Sequence, residues 1–99
     1  MKLLKICPVC GWDKLIQPPY NIYNEPSYEI CFCCGFEFGF TDANSGYSFI
    51  EWRKKWIESS YKFYFPKNHI PEDWGQDMAI KQLENVQQVN YCPRLHKKS

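Results

Sequence analysis

Cys7-Pro8-Val9-Cys10-Gly11 and Cys31-Phe32-Cys33-Cys34-Gly35 are the stretches on which the fold turns. In each, a C-x-x-C spacing lets two thiolates converge on one ion, and the glycine that follows lets the backbone bend tightly beneath them. Two such turns facing one another complete a tetrahedron of sulfur. Cys7, Cys10, Cys31 and Cys34 are therefore the expected metal ligands, with zinc as the leading ion. A closed set of four thiolates leaves no position for water or substrate, so the metal is expected to be structural and the chain not to be an enzyme.

Iron is the competing ion, because it accepts the same tetrahedral sulfur shell and the first turn resembles that of rubredoxin. The rest of the chain does not. Cys33 stands beside Cys34, and C-x-C or C-C spacing cannot easily present both sulfurs to one ion, so it is expected behind the ligands or in the core. Cys92 and His96 lack a paired partner beyond Cys33 and His69, and are read as a packed thiol and a surface imidazole. No nucleophile stands near a plausible base, and His69 lies alone in a proline-bounded loop. Asp42, Asn44 and Gly46 share the opening of a calcium loop, but the glycine falls one place early and Arg53 stands where the bidentate glutamate belongs. They read as a turn.

Outward from the cysteines, residues 6–40 read as a zinc-ribbon finger. Residues 12–16 leave the first turn as one short strand and residues 28–30 return as a second. In 36–40, Phe36, Phe38 and Phe40 alternate with Glu37 and Gly39 as in a third strand with one buried face. Between the first two, Pro18, Pro19 and Pro26 stiffen a loop carrying Tyr20, Ile22 and Tyr23, an aromatic surface suited to recognition. Further on, Ser48 and Glu51 form a capping box with Tyr47 and Trp52 at the staple positions. The helix expected from it covers 48–65, with Phe49, Trp52 and Trp56 on one stripe and Ile50, Ile57 and Tyr61 on the next. Glu51 and Lys55, and Glu58 and Lys62, are placed as i,i+4 pairs. A second helix over 76–89 turns Ala79, Ile80, Leu83 and Val86 inward. The expected fold class is thus α+β: an N-terminal ribbon of three short antiparallel strands with two cysteine knuckles, packed against two C-terminal helices in a single domain, 1–99.

Twelve basic and eleven acidic residues in 99 leave a net charge of +1, which provides no broad basic field for DNA or RNA. The one basic cluster is terminal: Arg94, His96, Lys97 and Lys98. Nucleic-acid binding through the ribbon and this tail is the alternative to protein interaction, and the aromatic run from Trp52 to Phe65 reads as core, since stacking surfaces normally come with a basic groove. Before Cys7 the apolar residues Met1, Leu3, Leu4 and Ile6 are too few for a signal-peptide core, and no later stretch has the length to span a membrane. A cytoplasmic setting follows, where paired cysteines bind metal more often than they form disulfides.

With those turns and the run Ser27-Tyr28-Glu29-Ile30 before the second one, the chain resembles the bacterial cysteine-rich proteins of CPCC type, small zinc-binding proteins of unestablished activity. The resemblance covers about the first 45 residues. It implies four ligands and a bacterial cytosolic setting, and carries no substrate. Here the C-x-C-C-G form stands in the second turn rather than the first. The expected role is a protein-interaction module on a structural zinc, with Tyr20, Ile22 and Tyr23 as contact residues.

Overall fold

The longest helix, α1 (Phe49–Glu58), starts where its capping signal lies. Ser48 Oγ accepts from Glu51 N at 3.0 Å, and Glu51 Oε1 accepts from Ser48 N at 2.9 Å. Tyr47 packs edge-on against Trp52 with ring centroids 5.0 Å apart, closing the staple. The helix ends at Glu58 rather than at residue 65. Tyr61 N donates to Trp56 O and Ser60 N to Ile57 O, a Schellman closure in which Ser60 takes a left-handed φ of 68°. Phe49, Trp52 and Trp56 face the core as their stripe predicts. The neighbouring stripe divides: Ile50 is 69 % exposed, while Tyr61 packs on the core against Trp56. Lys55 lies 5.7 Å from the centre of the Tyr47 ring, and Glu51 is committed to the cap.

The computed structural model describes residues 3–65 and 70–89. Pro66, His69, Cys92, Arg94, His96, Lys97 and Lys98 lie outside them, with whatever the sequence suggests of their roles. The second helix, α2 (Gln76–Leu83), gives way to a 3-10 turn at Glu84–Gln88, so the segment expected as one helix over 76–89 is two. Ala79 is fully buried and Leu83 packs on the core, whereas Ile80 faces solvent.

The three-stranded ribbon is not formed, and the α+β reading is corrected with it. Among the described residues there is no sheet, only the isolated bridges Tyr20 to Pro26 and Ile30 to Glu37. The reason lies in who takes the amides. Ile16 N, at the end of the expected strand over 12–16, and Gln17 N just beyond it donate to the two oxygens of the Glu29 carboxylate at 2.8 and 3.1 Å and not to a neighbouring backbone. Residues 28–31 and 36–38 do exchange bonds, from Tyr28 N to Phe38 O and from Cys31 N to Phe36 O. That ladder stops at once, because Tyr28 has a φ of 61° and the chain turns after Phe38, with Thr41 N returning to Glu37 O. Phe36 and Phe38 are fully buried as the alternation predicts, and Phe40 is 49 % exposed because the turn carries it off the face.

Aromatic packing does the work that a sheet would have done. Phe36 meets Phe38, Phe49 and Trp52 at 5.4 to 5.9 Å between ring centres. Trp12, Phe63, Trp74 and Trp56 continue the chain of contacts, and Phe32 stacks on Phe65 at 4.0 Å. Full burial of each phenyl ring contributes about 1.5–3 kcal/mol. Their polar handles are satisfied: Trp56 Nε1 donates to Lys62 O and Trp74 Nε1 to Tyr61 O.

Candidate metal centre

The two cysteine turns share one backbone geometry. In the first, Gly11 N donates to Cys7 O and Cys7 N to Trp12 O; in the second, Gly35 N donates to Cys31 O and Cys31 N to Phe36 O. Gly11 and Gly35 stand at φ 87° and 80°, where a side chain is strained. Neither has room for one. A Cβ on Gly11 would lie 2.1 Å from Gln82 O, and one on Gly35 would lie 2.5 Å from the Tyr64 ring.

This geometry brings the four predicted sulfurs together. Cys7, Cys10, Cys31 and Cys34 are buried, and their Sγ atoms all lie within 4.8 Å of one another. Across the knuckles, Cys7 Sγ is 3.8 Å from Cys34 Sγ and Cys10 Sγ 3.7 Å from Cys31 Sγ. A tetrahedral ion with metal–sulfur bonds of about 2.3 Å sets neighbouring sulfurs about 3.8 Å apart, whereas a disulfide requires about 2.05 Å. The cluster has the spacing of the first and not of the second, so the four cysteines can hold one metal ion. Zinc and iron share that bond length, and the distances do not choose between them. None of the five described cysteines is in a disulfide.

Burial pushes the Cys10 and Cys34 thiols well above the ordinary range and raises Cys31 as well. At Cys7 burial acts in the same direction but is outweighed by hydrogen bonds from Cys10, Cys31 and Cys34, which hold it well below. Val9 N also points at Cys7 Sγ, at 3.4 Å. A cation entering the cluster displaces the protons that burial holds on the raised thiols.

The chain is 36% identical over 89 residues to the uncharacterised protein YoaQ of Bacillus subtilis strain 168, a match spanning 76% of this chain and 75% of that protein. A second uncharacterised protein of that strain, YozI, is 32% identical over 105 residues, with 91% of this chain and 86% of that protein covered. The chain belongs to the family of these two proteins. No family model and no solved structure matches it. The family brings relatives and no activity, so the chemistry of this member has to be read from its own residues.

Around the sulfurs lies a layer of donors that spacing alone does not reveal. Arg53 on α1 sends Nε to Val9 O at 2.7 Å and Nη2 to Pro8 O at 2.8 Å. Trp52 Nε1 donates to Cys34 O at 2.9 Å. Gln82 Nε2 reaches Cys10 O at 3.0 Å, and Asn85 Nδ2 reaches Gly11 O at 3.0 Å. Backbone amides of Tyr64 and Phe65 bind Cys33 O and Phe32 O. Both turns thus have their outward carbonyls bound by the C-terminal half, and their inward side is left to the sulfurs. Cys33 is fully buried outside the four-sulfur group, with Gln82 Nε2 3.4 Å from its Sγ, as expected of a thiol behind the ligands. The signal for Arg53, Gln82 and Asn85 was present as polar residues beside the apolar helix stripes, positions that amphipathic patterning assigns to water.

The proline-rich loop divides its predicted contact residues. Tyr20 is half-buried, its hydroxyl donating to Asp42 Oδ2 and its ring 6.5 Å from Phe38. Ile22 and Tyr23 are 71 % and 75 % exposed. Asn21 Oδ1 binds Tyr23 N and Glu25 N, so the tip carrying them is held from within. The aromatic run expected to be core is largely so: Trp56 and Phe63 are buried, and Tyr64 is 58 % exposed. Among the described residues no helix is long and apolar enough to cross a membrane.

Proposed function

We propose that the chain is a structural-zinc protein of CPCC type, in which Cys7, Cys10, Cys31 and Cys34 bind one zinc ion that fixes the amino-terminal half, and that it works as a protein-interaction module. The observation that carries the metal reading is the convergence of four buried sulfurs within 4.8 Å of one another, two of the pairs at the 3.8 and 3.7 Å that a tetrahedral ion requires. The role is structural and not catalytic, because four protein thiolates fill the coordination of the ion. A bacterial cytoplasmic setting suits free thiols.

The interaction reading rests on the 17–26 loop. Ile22 and Tyr23 are apolar groups set on a tip whose backbone is already ordered by Asn21, and an ordered tip loses little conformational entropy on binding. Tyr20 anchors the tip and does not itself face a partner. The test is affinity capture with the zinc-loaded protein, comparing Ile22→Ser and Tyr23→Ala with Ile50→Ser, a change at an isoleucine equally exposed on α1. A partner recovered by the native chain and the α1 variant, and lost with either tip variant, is the expected result. Equal recovery by all of them removes the loop as a contact surface.

A further inference from the structure

A zinc ion bound by four thiolates forms a unit of net charge −2, here walled off from water by the core, and a buried charge needs compensation close by. Arg53 is the side chain placed to supply it. Its guanidinium spans Pro8 O and Val9 O, the carbonyls of the two residues between Cys7 and Cys10, through two hydrogen bonds of 2.8 and 2.7 Å. Among the described residues the one ion pair is Lys14 with Asp13, so no described carboxylate neutralises this guanidinium. Its charge is left to act on the cluster behind the turn.

We propose that Arg53 is a positioning residue of the metal centre, which orients the first cysteine turn through its carbonyls and offsets the negative charge of the metal–sulfur unit with its own. The inference rests on the metal reading above. Two features set Arg53 apart from the other outer donors. It is the one among Arg53, Trp52, Gln82 and Asn85 that carries a charge, and it grips two consecutive carbonyls with one planar fork, a geometry that a lysine cannot reproduce. Polarisation matters as well: a cation on Pro8 O strengthens the Val9 N–H of the same peptide unit, which points at Cys7 Sγ. Metal occupancy is in this way tied to the docking of α1, since the same helix that buries Trp56 carries the fork.

The test compares Arg53→Gln and Arg53→Lys with Lys54→Gln, an exposed change of equal charge on the same helix. Zinc affinity is read by competition with a chromophoric chelator, the pH midpoint of metal release by titration, and sulfur geometry from the ligand-field bands of the cobalt-substituted protein. We expect Arg53→Gln to weaken zinc by about 10–100-fold, as loss of outer-shell partners does. Its release midpoint should move to higher pH, since a more weakly held ion gives way to protons sooner. Arg53→Lys should recover only part of the affinity, because it keeps the charge and loses the fork. If Arg53→Gln does not fold, the lysine variant decides: affinity and cobalt spectrum equal to those of Lys54→Gln overturn the inference. So does an Arg53→Gln protein within twofold of Lys54→Gln. Native protein that binds no zinc at all would instead remove the metal reading itself, which keeps the two failures distinct.

Discussion

Substituting alanine at Gly11 measures how tightly the first cysteine turn is clasped by α2. At φ 87° an alanine enters the left-handed region, which costs about 1–2 kcal/mol. Its Cβ would also stand 2.1 Å from Gln82 O and 2.9 Å from Gln82 C, both backbone atoms that cannot swing aside. Relief requires α2 to retreat, which strains the bonds from Gln82 to Cys10 O and from Asn85 to Gly11 O, and overpacking of this kind costs about 1–3 kcal/mol. The restricted unfolded chain returns about 0.4–1 kcal/mol. The expected loss for Gly11→Ala is about 2–4 kcal/mol. Gly46 supplies the internal standard, because its φ is 76° and nothing lies within 4 Å of the Cβ position. Gly46→Ala should lose about 1 kcal/mol or less, from backbone strain alone. Urea unfolding of both metal-loaded variants, followed by tryptophan fluorescence, gives the difference. Equal midpoints for the two would refute the close approach of α2 to the knuckle.

Other outcomes follow from the same contacts. Trp52→Phe keeps an aromatic ring against Phe36 but strips Cys34 O of its donor, and should destabilise the protein by about 1–3 kcal/mol in chemical denaturation; no loss would mean the bond is idle. Because burial raises Cys10, Cys34 and Cys31, zinc binding at neutral pH should release protons, and affinity should fall as pH is lowered. Calorimetry in buffers of different ionisation enthalpy counts them, and a release near zero contradicts thiols that are protonated beforehand. Cys33→Ser should retain a full equivalent of zinc with an unchanged cobalt spectrum, while Cys31→Ser should not; loss of metal from the first would make Cys33 a ligand. Tyr23→Ala should leave stability within about 0.5 kcal/mol of the native value, whereas Tyr20→Ala, which takes the hydroxyl from Asp42 Oδ2 and the ring from Phe38, should lower it measurably in the same urea titration.

What sequence could reveal divides along the range of the interactions. The four cysteines were legible because a C-x-x-C-G turn is a local geometry, complete within five residues, and the same holds for Ser48 and Glu51 at the start of α1. Burial of Phe36 and Phe38 was legible from alternation. The strands were not, because a strand exists only through partners distant in sequence, and here the Glu29 side chain, not a neighbouring backbone, takes the amides of Ile16 and Gln17. The end of α1 was hidden for a related reason: Ser60 and Tyr61 accept left-handed conformations that residues other than glycine seldom adopt. Arg53, Gln82 and Asn85 stayed out of sight because amphipathic patterning places polar side chains in solvent, whereas these three face the carbonyls of a turn more than 40 residues earlier in the chain. A compact metal turn needs outside donors for its carbonyls, and no spacing rule says which residues will provide them.

The most direct measurement is the metal content of protein purified from a reducing cell, followed by far-ultraviolet circular dichroism while a chelator withdraws the ion. One equivalent of zinc is predicted, with the helical signal of α1 and α2 falling in step with its removal. Protein that carries no metal and keeps its full structure would contradict the account.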